Sequence, residues 1–134
     1  MAYWLLKTEP STYSFEDLLR DGKTVWDGVT NALALKNLRT MKKGDLAFIY
    51  HTGDEKAIVG IAEIASDPYP DPRAKNEKLT VVDLRPKRRL SHPVPLAAIK
   101  SRKELARFEL VRLPRLSVMP VPKDVWDALV AMSK

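Results

Sequence analysis

The chain contains no cysteine, which excludes disulfide bonds, thiolate zinc sites and cysteine nucleophiles. It has only five glycines in 134 residues, and none belongs to a P-loop, a glycine-rich dinucleotide fingerprint or a Gly-x-Ser-x-Gly elbow. The only two histidines, His51 and His92, are far apart in the sequence and have no ligand-spaced partners. We therefore expect neither a metal site nor a bound cofactor.

Long hydrophobic runs are also missing. None approaches the ~18 residues that a membrane-spanning helix requires. The first residues enter a strand pattern without the basic and apolar regions of a signal peptide. The sequence thus predicts a protein with no membrane partner that works in the cytoplasm, or in the nucleus if the host has one. A length of 134 residues predicts a single domain over residues 1–134, with a monomer favoured.

Positive charge is concentrated in the second half of the chain. The net charge is +6, but residues 1–72 hold 8 Lys or Arg and 11 Asp or Glu, a balance of −3, whereas residues 73–134 hold 15 and 6, a balance of +9. A basic half favours a surface that faces a polyanion such as nucleic acid, although the same residues can simply solvate a protein surface. The candidate phosphate-binding residues are Lys87, Arg88, Arg89 and Arg102.

Hydrophobic periodicity predicts an α+β protein in which about five or six strands and several short helices form one compact mixed sheet or a small open barrel. The expected strands cover residues 3–7, 46–51, 57–65, 79–85, 108–111 and 116–118, and residues 25–26 are expected to form a short extended piece. The expected helices cover residues 14–21, 31–41, 96–99 and those after 122. Three prolines between residues 68 and 72 predict an irregular loop. Ser14 with Asp17, and Ser101 with Glu104, predict capping boxes, and Gly60 predicts a bulge or a close approach.

Residues 24–31 combine one large aromatic, one carboxylate, one glycine and one amide directly before a predicted helix. Trp26 offers a flat π surface, and Asn31 offers donors and an acceptor on one planar group. The pair therefore suits a planar ligand with polar edges, such as a nucleobase. The alternative is a buried tryptophan before an ordinary helix whose N-cap is Asn31. The residues alone leave both interpretations open.

Several motifs resemble those of EVE domains. Trp-Leu-Leu-Lys-Thr-Glu-Pro-Ser at residues 4–11 is similar to the family's Trp-Leu-x-Lys-Ser-Glu-Pro opening, and Trp-Asp-Gly-Val-Thr-Asn at residues 26–31 looks like its central motif. Further matches follow in the same order at residues 37–45, 48–51, 60–63, 69–71, 82–84 and 115–121. The chain is therefore identified as a member of the EVE domain family, in the PUA-like superfamily, and is most similar to its thymocyte nuclear protein-like members.

This resemblance implies a PUA-like fold, in which a mixed sheet curls into a small open barrel with helices around it. It also implies kinship with YTH domains, which bind methylated adenine in RNA through an aromatic pocket. EVE domains are regarded as readers of modified bases in DNA or RNA, with modified cytosine the leading candidate. By resemblance, Trp26 is the stacking wall of the pocket and Asn31 reads the base edge. The other lining residues would be Lys7, Ser11, Tyr50, His51 and Ser117.

The chain departs from the family around the central asparagine. Thr30 and Ala32 stand where many members carry Arg and Tyr, and Leu33 replaces a common Gln. A cation and an aromatic that would line or rim the pocket are thus missing. The loop between Asp71 and Leu79 is also short compared with thymocyte-type members, so we expect a reduced binding rim.

Three functions remain as alternatives. The first is a non-catalytic module that binds nucleic acid and recognises a modified base in DNA or RNA. The second is a PUA-type RNA-binding protein that reads shape and phosphate without selecting a mark. The third is an enzyme that acts on a small nucleotide in the same pocket, with Glu9, Asp27 or His51 as acid or base. The sequence contains no nucleophile–base pair, metal cluster or phosphate loop, so the first function is favoured and no enzyme activity is expected.

Overall fold

The computed structural model describes residues 1–76 and 78–134, and these form a mixed α+β fold, as the periodicity predicts. The strands are β1 (Tyr3–Thr8), β2 (Thr24–Trp26), β3 (Leu46–His51), β4 (Ala57–Ile64), β5 (Tyr69–Pro70), β6 (Thr80–Pro95) and β7 (Val118–Pro120). The helices are α1 (Phe15–Asp21), α2 (Ala32–Thr40), α3 (Leu96–Lys100), α4 (Glu109–Arg112) and α5 (Lys123–Met132), with a 3-10 turn at Lys103–Leu105. Across the two described ranges, every helix is too short or too polar to cross a membrane.

The strands form one curled sheet in the order β2-β6-β4-β3-β1-β7, and β5 pairs with β6. β1 and β3 run parallel, whereas the other described pairs are antiparallel. The long strand β6 pairs with β2 and β5 near its start and with β4 over most of its length. Register shifts between β4 and β6 increase the local twist. The result is the half-barrel that the EVE-like motifs imply.

Strand β6 is longer than predicted, because it continues beyond Arg85 to Pro95 and includes the basic run. Pro86 is accommodated inside it because this proline lies beside a register shift, opposite Ala62 of β4. Lys87, Arg88 and Arg89 therefore lie on a strand, and Lys87 falls at the register shift, where the alternation of side chains is interrupted.

The prediction that the proline-rich segment is wholly irregular is wrong. Tyr69 and Pro70 form the two-residue strand β5 and pair with Val81 and Thr80. Proline is compatible with this position because a short strand at a sheet edge needs few backbone donors. The segment is thereby attached to the start of β6.

Two predictions near the end of the chain are also wrong. The expected strand around Phe108 is helix α4, since the Phe108 carbonyl accepts the N–H groups of Val111 and Arg112 at 2.9 and 3.0 Å. The expected capping box is absent from the described residues, because Ser101 is the C-cap of α3 and its hydroxyl donates to Ala98 at 2.7 Å. Such short apolar runs satisfy the helical and the strand periodicity equally well.

Helices pack on both faces of β4. On one face Phe15 of α1 lies against Gly60, where an added Cβ would meet the ring at 2.5 Å. The close approach predicted for Gly60 is thus confirmed. On the other face Trp126 of α5 stacks on Phe48, with ring centroids 3.9 Å apart, and Phe48 pairs with Ile61, the neighbour of Gly60. The faces under α1 and α5 are therefore distinct.

Candidate nucleic-acid interface

A cleft of about 570 Å³ opens between the carboxyl end of β1 and strand β2. β1 contributes Lys7, and β2 contributes Trp26, which is fixed by its pairing with Val82 of β6. The turn after β2 adds Asp27, and the loop before α1 adds Tyr13. The family's opening motif and its central motif thus meet in one place, which we call the tryptophan cleft.

Trp26 and Tyr13 form an aromatic corner in the tryptophan cleft. Their ring centroids lie 6.4 Å apart, and the ring planes are nearly perpendicular at 82°. Trp26 is only 8% exposed, whereas Tyr13 is half-buried and its hydroxyl donates to Asp21 at 2.9 Å. Burial raises the pKa of Tyr13, so its phenol is neutral at physiological pH. Both aromatic side chains therefore form part of the cleft wall, and Tyr13 is the more exposed of the two.

Asn31 has a structural role in this fold. It is the N-cap of α2, and its Oδ1 accepts the backbone N–H of Ala34 at 3.0 Å. Among the described residues, those that line the tryptophan cleft do not include Asn31. A buried Trp26 followed by an N-cap asparagine, the simpler of the two interpretations, therefore describes the local geometry. Any contact of Asn31 with a ligand falls to its Nδ2 amide.

Two carboxylates border the tryptophan cleft, Glu9 and Asp27. Oε1 of Glu9 accepts the backbone N–H and the hydroxyl of Ser11, both at 3.0 Å. These two bonds, the backbone one first, hold the pKa of Glu9 below its ordinary value, so the carboxylate is ionised at neutral pH. An ionised carboxylate beside an aromatic corner suits a ligand amino group. In the described part of the chain, no group of three or more His, Asp or Glu side chains is placed to hold a metal ion.

Lys7 brings further predicted site residues together. Its backbone N–H donates to the carbonyl of Ser117, and its ammonium donates to the carbonyl of Pro114, each at 2.9 Å. The ammonium also lies 5.6 Å from the ring centroid of Tyr50, within cation–π range. Burial lowers the pKa of Lys7. Lys7, Tyr50 and Ser117 therefore form one cluster, which Lys7 joins to the tryptophan cleft.

His51 lines a different cleft, together with Glu55 and the start of α1. The residue is buried. Its Nε2 accepts the backbone N–H of Phe15 at 3.0 Å, and its Nδ1 faces Oε1 of Glu55 at 2.6 Å. Because a backbone N–H can only donate, the ring proton lies on Nδ1 and points to Glu55. Both ring nitrogens are thus engaged, and their partners hold the start of α1.

The candidate phosphate-binding residues are divided among separate surfaces. Lys87 and Arg88 line a cleft beside α5. Arg89 lies on the α1 face of the sheet, where it forms an ion pair with Glu16. Arg102 follows α3 and pairs with a neighbouring glutamate at 3.2 Å. The densest basic run in the sequence is therefore split beside the register shift of β6, where Lys87 lies between the paired residues Pro86 and Arg88.

The sequence analysis does not assign Tyr13 to the binding site, although its side chain lines the tryptophan cleft together with Trp26. Its available signal was its place at the edge of an element, between a proline and the Ser14 cap. Arg73 also lines the cleft. It comes from the loop after β5, and no local sequence pattern indicates that this loop reaches β2.

Known proteins share this arrangement of elements. Human thymocyte nuclear protein 1 (THYN1) is 31% identical over 99% of this chain and 74% of its own length. An NMR structure of a protein from Rhodopseudomonas palustris is 41% identical and has a TM-score of 0.94, covering 99% of this chain and 93% of that one. A crystal structure of human THYN1 in complex with DNA that contains 5-methylcytosine is 30% identical and has a TM-score of 0.92, covering 100% of this chain and 98% of that one.

The half-barrel sheet and the short helices around it define a module of the PUA-like class. The EVE domain model matches residues 2–132. The chain belongs to the EVE domain family, as the motifs at residues 4–11 and 26–31 predict.

Proposed function

We propose that this chain is a non-catalytic nucleic-acid-binding module that holds a modified cytosine in the tryptophan cleft. The observation that carries the proposal is the meeting of Trp26, Tyr13 and the ionised Glu9 in one cleft. The relative whose structure contains 5-methylcytosine DNA supports DNA as the nucleic acid and cytosine as the base. The module acts as a single domain and as a monomer, in the cytoplasm or, in a eukaryotic host, in the nucleus.

Each group at the cleft has a role that follows from its chemistry. The aromatic corner of Trp26 and Tyr13 stacks on the base, an interaction worth ~1–3 kcal/mol per base. Glu9 or Asp27 accepts the exocyclic amino group of cytosine, which is a donor. Asn31 does not line the cleft among the described residues; the family resemblance assigns it the acceptor edge of the same base, to which its Nδ2 amide would donate while Oδ1 caps the helix.

The remaining predicted residues support these contacts. Ser11 keeps Glu9 ionised and oriented. Lys7 lines the cleft next to β1, and the carbonyl of Ser117 and the ring of Tyr50 contact Lys7 from outside the cleft lining. His51 acts indirectly, because it accepts a hydrogen bond from the first residue of α1, the helix that follows Tyr13.

Tyr13 compensates for one of the departures from the family pattern around the central asparagine. Thr30 and Ala32 remove an arginine and a tyrosine that many members carry near the central asparagine. In this chain Tyr13 supplies a second aromatic, and Lys7 and Arg73 supply cations at the same cleft. The module therefore retains an aromatic and basic pocket with a different set of residues.

The proposal assigns no catalytic residue. Glu9 has a lowered pKa, so it is a weak base near neutral pH and carries no proton to give. Both nitrogens of His51 are engaged with protein partners in another cleft. These groups bind the base or support the groups that do, and the oligonucleotide is released without chemical change.

A binding screen tests this function. Fluorescence anisotropy at one salt concentration compares a duplex that carries a single 5-methylcytosine, the same duplex with cytosine, and an RNA of the same sequence with and without the mark. The proposal predicts that the methylated duplex binds most tightly and that every probe is recovered intact. Equal affinity for the four probes would support a PUA-type protein without mark selectivity. Conversion of the base that disappears in Glu9→Gln would support an enzyme.

A further inference from the structure

A second, smaller cleft of about 290 Å³ adjoins the tryptophan cleft and shares Lys7 with it. Two more lysines line it, Lys56 and Lys100, together with Tyr50 and apolar side chains. Among the described residues, its lining includes no Asp or Glu. We call this site the lysine cleft, defined by Lys7, Lys56 and Lys100.

Three separate elements bring these lysines together. Lys7 lies on β1, Lys56 lies in the turn between β3 and β4, and Lys100 ends α3. The carbonyl of Lys56 accepts the N–H of Leu96 at 2.8 Å, which fixes the β3–β4 turn to the first residue of α3. Lys56 also has a left-handed backbone, with φ at 45°. Non-glycine residues rarely adopt this conformation, and such residues are concentrated at ligand sites.

The charges of the lysine cleft are not neutralised within the described residues. Neither Lys56 nor Lys100 forms an ion pair with a carboxylate there. By contrast, Arg89 and Arg102 of the predicted phosphate-binding set are both paired with glutamates. Lys7 is partly removed from water, which strengthens its interaction with a nearby anion. Lys87 and Arg88 also form no ion pair in the described part of the chain, but the cleft that they line includes Asp127, whereas the lysine cleft has no acidic lining residue there.

We propose that the lysine cleft binds the phosphodiester backbone of the nucleic-acid strand whose modified base enters the tryptophan cleft, an inference that rests on the proposed function. Lys7 borders both clefts, so a nucleotide stacked at Trp26 places its neighbouring phosphates toward Lys56 and Lys100. Lysine ammonium groups bind phosphates as point charges. Glu9 approaches the β3–β4 turn at Gly53, where an added Cβ would lie 2.7 Å from its Oε2. This carboxylate repels phosphate from the border between the two clefts. The nucleic-acid backbone is therefore expected to follow the side that is lined by the lysines.

The test uses the full chain and a duplex with one 5-methylcytosine, and measures affinity by anisotropy over a series of salt concentrations. The test variant combines Lys56→Asn, which suits a left-handed backbone, with Lys100→Gln. The matched control is Lys36→Gln with Lys43→Gln, which removes two exposed lysines outside both clefts. The rival variant is Lys87→Gln with Arg88→Gln. Lys100→Gln alone serves if the double test variant does not fold.

The inference predicts that the test variant lowers the slope of log K against log salt by ~0.9 for each phosphate that the protein no longer neutralises, while the matched control and the rival keep the parent slope. The ratio of affinities for methylated and unmethylated duplexes should stay at the parent value. A parent slope in the test variant would overturn the inference while leaving the proposed function intact. Equal parent affinity for the two duplexes would instead overturn the proposed function, whatever the slopes show.

A mononucleotide probe tests whether the lysine cleft binds several phosphates of a nucleic-acid backbone or only one terminal phosphate. The probe is 5-methylcytidine monophosphate, titrated against the parent and the test variant. Binding of this nucleotide should change much less than binding of the duplex, because the mononucleotide carries a single phosphate whereas the strand presents several in succession. An equal loss for both probes would show a terminal-phosphate pocket and would contradict the backbone assignment.

Discussion

His51 accepts the backbone N–H of Phe15 at 3.0 Å through Nε2, and this bond ties strand β3 to the first turn of α1. At the same helix end, the Ser14 hydroxyl accepts the N–H of Asp17 at 3.1 Å, and the Asp17 carboxylate accepts the N–H of Ser14 at 2.9 Å. Helix starts leave N–H groups without partners, and here three of them are satisfied. Tyr13 directly precedes this cap, so the cap fixes the loop that carries Tyr13 into the tryptophan cleft.

Replacing His51 with alanine should destabilise the protein and leave its preference for methylated DNA intact. The N–H of Phe15 would then be buried without an acceptor, which costs ~1–3 kcal/mol, and urea unfolding measures the loss. His51→Gln keeps an acceptor and should lose less. A His51→Ala variant that is as stable as the parent but no longer distinguishes the mark would place His51 at the ligand instead.

Asn31 can be tested for its two roles separately. Asn31→Ala removes the N-cap oxygen of α2 and should cost ~0.5–2 kcal/mol of stability. Asn31→Asp keeps a cap oxygen and adds a negative charge at the helix start, where it is favourable, so its stability should match or exceed that of the parent. If Nδ2 reads the base edge, Asn31→Asp should still lose discrimination between cytosine and other bases in anisotropy measurements. Parent-like discrimination in this variant would leave Asn31 with the cap role alone.

Ionisation of Tyr69 should lower the free energy of unfolding of the protein at high pH. Its hydroxyl donates to Oδ1 of Asp83 at 2.6 Å, and this bond raises the pKa of Tyr69 to about 12. An unfolded tyrosine titrates near ~10, so the native state holds this proton more tightly than the unfolded state. The stabilisation is therefore complete below pH ~10 and is lost as the pH rises from ~10 toward 12.

Tyr69→Phe isolates this contribution, because every other titrating group is the same in both proteins. Urea unfolding should show the parent to be more stable than Tyr69→Phe at neutral pH, and the difference should shrink as the pH rises above ~10. A difference that stays constant over that range would mean that the bond to Asp83 does not control the titration of Tyr69.

The local elements could be predicted because their signals lie within a few residues. Ser14 and Asp17 form the expected capping box, and Gly22 ends α1 in a left-handed conformation. Asn31 caps α2 as one of the two interpretations predicts, and Pro122 precedes α5. In each case the chemistry of a cap or a breaker is set by the residue itself.

Contacts between distant elements could not be predicted in the same way. The separation of Lys87 and Arg88 from Arg89 depends on the register shift between β6 and β4, and the sequence around Pro86 does not indicate that the strand continues. Lys56 and Lys100 meet only because the β3–β4 turn is bonded to α3. Counting charge by halves of the chain cannot detect a basic cleft whose members come from both halves.

The most direct test of the account observes Trp26 itself while methylated DNA binds. The chain has three tryptophans, and their indole N–H groups give separate signals in a proton–nitrogen correlation spectrum. Two of them serve as internal controls, since Nε1 of Trp4 donates to Asp45 at 3.0 Å in the core and Trp126 stacks on Phe48. The signals are assigned with Trp→Phe variants.

Titration with the 5-methylcytosine duplex should shift the indole signal of Trp26 strongly and leave those of Trp4 and Trp126 nearly unchanged. The unmethylated duplex at the same concentration should shift Trp26 less. Anisotropy on the same samples confirms that DNA is bound. Tight binding of the methylated duplex with no shift of the Trp26 signal would show that the base lies elsewhere, and would contradict the assignment of the tryptophan cleft as the base-binding site.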